Sequence, residues 1–275
     1  MPGAPDPLYV AARRVLLDAV EAIRDHLDAL VLVGAQAVYV HAGEADLAVA
    51  PTTTDGDLAI DPERLGPKPI LEDALGRAGF KREPDAVGIW QTSVDVEGTP
   101  RVVQVDLLVP DSLGGPGRRG ARIPPHGQHV ARKVVGLEGA LVDRDPHLIA
   151  ALDAGDHRSF RMAVAGPAAL IVAKVHKISE RVDAADRRSD KDALDLYRLL
   201  RAVSTTELTR RFRVMRENPI SGNVTEQALE WLSDLFGAVR RPGVLMAIRA
   251  AGPLEPADTM AASLAELTGD LLRTL

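Results

Sequence analysis

The sequence predicts an α+β chain: a mixed β-sheet domain with flanking helices over residues 1–165, then a helical domain over 166–275. Two observations carry the prediction. Strand-length apolar runs, at 30–33, 89–97 and 101–109 among others, fall only in the first part. From Gly166-Pro167 onward the apolar positions recur at helical spacing, and from Ala202 only helical patterns remain.

Composition sets the bounds. At 275 residues the chain is long enough for two domains. It is 46% hydrophobic but only 3% aromatic, so its core is built from Ala, Val and Leu. The absence of cysteine excludes disulfides, thiolate catalysis and Cys–zinc sites, and fits a cytoplasmic protein. The opening Met1-Pro2-Gly3-Ala4-Pro5-Asp6 lacks the layout of a signal peptide, and no apolar run reaches the length of a membrane span. A net charge of −6 argues against non-specific nucleic-acid binding, so an RNA partner needs a local basic patch.

The elements follow in order. Asp6-Pro7 opens a helix, with Asp as N-cap and Pro at its first position, and the spacing of Val15, Leu16, Ala19, Val20 and Ile23 carries it to about Leu27. A buried strand, 30–33, ends in the turn Gly34-Ala35, and a short helix covers 36–41. A loop of small and acidic residues, 43–51, leads to a second strand at 57–60. A helix over 69–78 stops at Gly79. Strands at 89–97 and 101–109 are joined by a turn at Gly98-Thr99. Residues 110–125 form a Gly-, Pro- and Arg-rich loop containing Arg118, Arg119 and Arg122, readable as a solvated loop or as a phosphate-binding flap. A hairpin pairs 147–152 with 159–164. Helices then cover 167–181, a segment capped by Ser189 after a charged loop at 183–188, and 206–217, 225–237 and 255–274.

Three aspartates stand out on the strands. Asp55 and Asp57 are two apart, so on a strand they project from one face. Two such carboxylates repel and stay ionised together when a cation lies between them, and oxygen ligands at this spacing suit Mg²⁺. Asp55-Gly56 is equally ordinary turn chemistry, and the local sequence leaves both readings open. On 101–109, Asp106 lies between Val105 and Leu107, which is costly toward an apolar core and cheap toward a metal site, so it joins the pair as a third candidate ligand. No Gly-Lys-Ser/Thr string supports a P-loop, and no His-x-x-x-His pair supports zinc. In the helical part Lys174 and Lys177 are neighbours on one helix, and Asp192 and Asp195 share a face of the next.

Gly34, the Asp55/Asp57 pair and Asp106 follow the order of the nucleotidyltransferase superfamily typified by DNA polymerase β. The strings Ile171-Val172-Ala173-Lys174-Val175-His176-Lys177 and Arg188-Ser189-Asp190-Lys191-Asp192-Ala193-Leu194-Asp195-Leu196 resemble a branch of it, the AbiEii-type enzymes including the MenT-type toxins. The chain departs from that pattern in Ala35, in Pro51 where the branch has arginine, and in the roughly twenty residues between Gly34 and Asp55, while Thr53 keeps the Ser/Thr position. The resemblance spans about residues 30–200 and implies a nucleotidyltransferase fold. It implies Asp55, Asp57, Lys174 and Asp195 as catalytic residues. Gly34, Ala35, Thr53 and Lys174 would bind nucleotide, and Asp55, Asp57 and Asp106 would bind Mg²⁺ in a two-metal arrangement. It further implies an NTP substrate, a helical domain that completes the site, an acceptor hydroxyl for which a tRNA 3′ end is the first to test, and a toxin–antitoxin or phage-defence role with a cognate antitoxin as partner. An aminoglycoside-type small-molecule nucleotidyltransferase and a degenerate nucleotide-binding protein are the alternatives.

Overall fold

The computed structural model describes residues 5–43, 47, 49–182 and 190–275. The expected Ser189 cap, the charged loop at 183–188, part of the 43–51 loop and the first four residues lie outside these. The strands are β1 (Leu30–Val33), β2 (Asp55–Ile60), β3 (Lys81–Arg82), β4 (Ile89–Val96), β5 (Thr99–Pro110), β6 (Arg132–Val134), β7 (Arg144–Ala150) and β8 (Ser159–Ala165). They form one mixed sheet in the order β3-β4-β5-β2-β1-β8-β7, with β6 added alongside β5. This is the predicted α+β class.

The packing forms two compact units: Met1–Gln36, Pro51–Val134 and Arg144–Val164 in the first, and Ala37–Ala50, Val135–Asp143 and Ala165–Leu275 in the second. The predicted helices beyond 166 make up most of the second unit, which also takes two segments from earlier in the chain.

In the first unit, helix α1 (Pro7–Ala22) opens as expected, with the Asp6 side chain accepting from the backbone N–H groups of Leu8 and Tyr9. It ends earlier than its apolar pattern, passing into a 3-10 turn over Arg24–Ala29. The sheet register decides what α1 covers. β2 pairs with β5 in parallel, placing Gly56 opposite Val105 and Leu58 opposite Leu107. A Cβ at Gly56 would lie 3.1 Å from Leu16 of α1, so the helix sits directly on this apolar face. The alternate residues, Asp55, Asp57, Gln104 and Asp106, therefore share the other face. The β4–β5 turn falls on Glu97-Gly98, one residue before its expected place, because both carry the positive φ that a tight hairpin turn needs.

Helix α2 (Gly34–Ala42) begins at the first residue of the expected turn, two residues before its predicted start, and α3 (Leu71–Arg77) is shorter than predicted. The second unit holds α4 (Pro167–Ser179), α5 (Asp190–Ala202), α6 (Thr205–Glu217), α7 (Gly222–Phe236), α8 (Pro242–Ala251) and α9 (Ala257–Thr274). Asp143 caps α4: its Oδ2 accepts from the Ala169 N–H at 3.0 Å and its Oδ1 from Arg211 Nη1 at 2.6 Å. Leu208, Phe212 and Met215 of α6, Leu232 and Phe236 of α7, and Leu264 and Leu271 of α9 are all buried. No helix among the described residues is long and apolar enough to cross a membrane.

Candidate active site

In the first unit the site is built where β1 ends. Val33 pairs with Asp57, which in turn pairs with Asp106, so the three lie across adjacent strands. Gly34 follows with φ +69°, and a Cβ there would fall 1.9 Å from Asp57 Oδ2. Only glycine allows the Asp57 carboxylate to lie against the start of α2, where the positive end of the helix favours a negative group. Asp55 stands opposite Gln104, and buried Thr53 donates from Oγ1 to Asp55 Oδ1 at 2.5 Å. Gly34, Ala35, Thr53, Asp55, Asp57 and Asp106 all belong to this unit.

Three further residues hold this face; of them the sequence reading noted only Arg132, as a cation just beyond the Arg-rich loop. Buried Gln36 donates from Nε2 to the Asp55 carbonyl at 2.8 Å and accepts from Arg13 Nε at 2.7 Å. Arg13 also donates to the Ala150 carbonyl at 2.9 Å, linking α1 to the end of β7. Burial lowers its pKa against the opposing pull of Tyr9. A legible signal existed for Arg13, which lies three residues before Leu16 and so on the apolar stripe of α1. The third residue is Arg132 of β6, whose Nη2 donates to Asp106 Oδ2 and forms an ion pair with it.

The second unit carries its own charged cluster. Lys174 of α4 is buried and donates to Asp192 Oδ1 at 2.7 Å and to Asp195 Oδ2 at 2.8 Å, both on α5. Burial by itself would lower the Lys174 pKa, but the two carboxylates outweigh it and raise the value. Burial likewise works to raise Asp192, and Lys174 and Lys177 together hold it below the usual carboxylate range. Lys177 reaches Asp192 Oδ2 at 3.0 Å from a half-exposed position. Asp195 Oδ1 is buried with no hydrogen-bond partner. Two of the three Lys174 donors are thus committed to carboxylates, a feature the helical spacing did not reveal. Arg188 of the second motif string lies outside the described residues.

The donor set fits a hard divalent cation at Asp55 and Asp57. Both are carboxylates on one face, and Mg²⁺ is commonly held by one or two carboxylates with water and substrate phosphate completing its shell. Asp106 shares the face but is engaged by Arg132. Among the described residues no group of three or more His, Asp or Glu is arranged to hold a metal ion. The expected three-carboxylate set is therefore brought onto one face without forming a metal cage.

A family model described as "Nucleotidyltransferase" matches residues 14–217, a span that includes Gly34, Asp55, Asp57, Asp106, Lys174 and Asp195. No curated protein and no solved structure matches the chain.

Proposed function

Because the chain belongs to the nucleotidyltransferase family, whose members move a nucleoside monophosphate from an NTP to an acceptor, we propose that it does so with Mg²⁺ as cofactor and a nucleic-acid hydroxyl, first of all a tRNA 3′ end, as acceptor. In this reaction the acceptor oxygen bonds to the α-phosphorus, the α–β bridging bond breaks, and pyrophosphate leaves. The observation that carries the reading is the register that sets Gly34 against Asp57 and Asp57 opposite Asp106.

Each residue has a part. The start of α2, at Gly34 and Ala35, offers backbone N–H groups to the triphosphate, and Gly34 admits a close approach. Asp55 and Asp57 would hold the cation, with Thr53 and Gln36 fixing the Asp55 side chain and backbone. A bound Mg²⁺ supplies charge neutralisation at the phosphates and favours ionisation of the attacking hydroxyl. We assign residues 1–165 to the nucleotidyltransferase domain and 166–275 to a helical domain that contributes Lys174, as a phosphate contact, and Asp195. The support for the AbiEii/MenT branch, and with it a cytoplasmic toxin role and a cognate antitoxin, is the pair of sequence strings at 171–177 and 188–196.

The test is incubation with each labelled NTP, Mg²⁺ and total tRNA. Label on tRNA that disappears when Mg²⁺ is chelated is the expected result. Label on a cationic small molecule but not on RNA would move the acceptor to the aminoglycoside class, and no transfer with any NTP and either acceptor would overturn the proposal.

A further inference from the structure

Asp57 and Asp106 stand opposite each other on strands about 4.8 Å apart, with their side chains on one face. Two ionised carboxylates so placed repel unless a positive charge lies beside them. In the structure Arg132 supplies such a charge, paired with Asp106. β4 makes its last pair with β5 at Asp106, and β6 takes over the same edge from Leu108, which is the partner of Arg132. Arg132 therefore shares the face of Asp106 and reaches back one pair to it.

The contact is built for exchange. A full guanidinium–carboxylate fork uses two parallel N–H bonds. Here one nitrogen, Nη2, meets one oxygen, Oδ2, while Arg132 Nε is buried with no hydrogen-bond partner. The Arg132 side chain is 37% exposed and Asp106 only 11%, so the arginine can withdraw toward solvent while the carboxylate stays in place.

We propose that Arg132 is a positioning residue that keeps Asp106 in reserve, and that a divalent cation arriving at Asp57 exchanges with Arg132 for the Asp106 carboxylate. This rests on the reading of the face as a cation site. Arg132 offsets one of the negative charges of the free site, and the exchange makes the third carboxylate available only when the cation is present.

The experiment is Mn²⁺ binding to the full chain without nucleotide, by calorimetry or by the loss of the free-ion electron paramagnetic resonance signal. Arg132→Gln is expected to tighten binding roughly tenfold, the scale at which groups around metal ligands act. In an Asp106→Asn background the same substitution should change nothing. Unchanged or weaker binding in Arg132→Gln overturns the proposal. Equal tightening in both backgrounds also overturns it, because that would be a general effect of removing a positive charge. If Arg132→Gln does not fold, the wild-type chain still decides: titration with diamagnetic Mg²⁺ must shift the Arg132 Nε–H resonance, and a resonance that stays fixed rejects the exchange. Asp57→Asn separates the two levels. Binding that survives it places the cation elsewhere and overturns both the site reading and the exchange. Binding that is lost, together with no coupling between Arg132 and Asp106, overturns the exchange alone.

Discussion

At Gly34 a substitution meets two penalties. The φ of +69° is unfavourable for any L side chain by about 1–2 kcal/mol, and an alanine Cβ would collide with Asp57 Oδ2. A carboxylate oxygen can swing aside, so the damage falls on the site more than on the fold. Gly34→Ala should lower the melting temperature by only a few degrees and abolish transfer, measured by thermal unfolding and label incorporation. Asp57→Ala should also abolish transfer while leaving the fold intact, measured by the same two assays. Persistent activity in Asp57→Ala would rule out the metal assignment. Lys174 behaves differently. Its removal leaves Asp192 and Asp195 buried without their shared cation, a loss of about 3–5 kcal/mol by denaturant unfolding. Lys177→Ala, at a half-exposed position with Lys174 still beside Asp192, should cost no more than about 1 kcal/mol. A low turnover in Lys174→Ala therefore counts as catalytic only after the unfolded fraction is subtracted.

Among the elements, the loop that follows β5 is pinned to the segment before α3 by a histidine. Buried His126 donates from Nε2 to the Gly66 carbonyl at 2.8 Å and accepts on Nδ1 from the Leu71 N–H at 3.3 Å, which fixes a neutral ring. Burial depresses its pKa below the ordinary 6.5, the neighbouring His26 adds to the effect, and the Gly66 carbonyl opposes it. A histidine with a depressed folded-state pKa stabilises the fold above its unfolded value, and that contribution is lost as pH falls below about 6.5. Unfolding free energy should therefore drop as pH falls below about 6.5, and His126→Gln should flatten that slope. A slope unchanged in the variant would assign the dependence to other groups. Elements with a strong internal pattern were legible from the sequence: β1 agrees at both ends, and α6 begins within one residue of its expected start. Those that exist through their partners were not. β3 is Lys81-Arg82, exposed and without an apolar residue, and β6 is Arg132-Lys133-Val134, short and mostly polar. Helix α8 hides behind Pro242-Gly243, which reads as a turn. At the site, the shared face of Asp55 and Asp57 follows from strand parity alone. The pairing of Asp57 with Asp106 depends on a parallel register between distant segments, and the Arg132 contact depends on a strand whose own sequence does not announce it.

At the scale of the whole molecule, the second unit depends on residues far from the helical half. Asp143 caps α4 and pairs with Arg211, while Arg198 of α5 donates to the Val49 carbonyl at 2.6 Å and lies over the Tyr39 ring. A fragment cut at 166 lacks Asp143, Tyr39 and Val49 and leaves two arginines without these partners. It should show weak cooperativity and poor amide dispersion, judged by circular dichroism and a proton–nitrogen NMR spectrum. A sharp, cooperative fragment would establish 166–275 as an independent folding unit. The β2 register bears on length variation between relatives. Chain can be added between Gly34 and Asp55 at little entropic cost, since doubling a loop costs only about 0.6 kcal/mol. One residue inserted inside β2 after Gly56 instead turns Asp57 toward the face of Leu16 and the core, puts the inserted residue opposite Asp106, and sends Leu58 out onto the face that carries the aspartates. Insertions and deletions among related chains should therefore accumulate before Asp55 and be absent from Asp55–Ile60, and the long approach to the aspartate pair in this chain is a variation of the permitted kind.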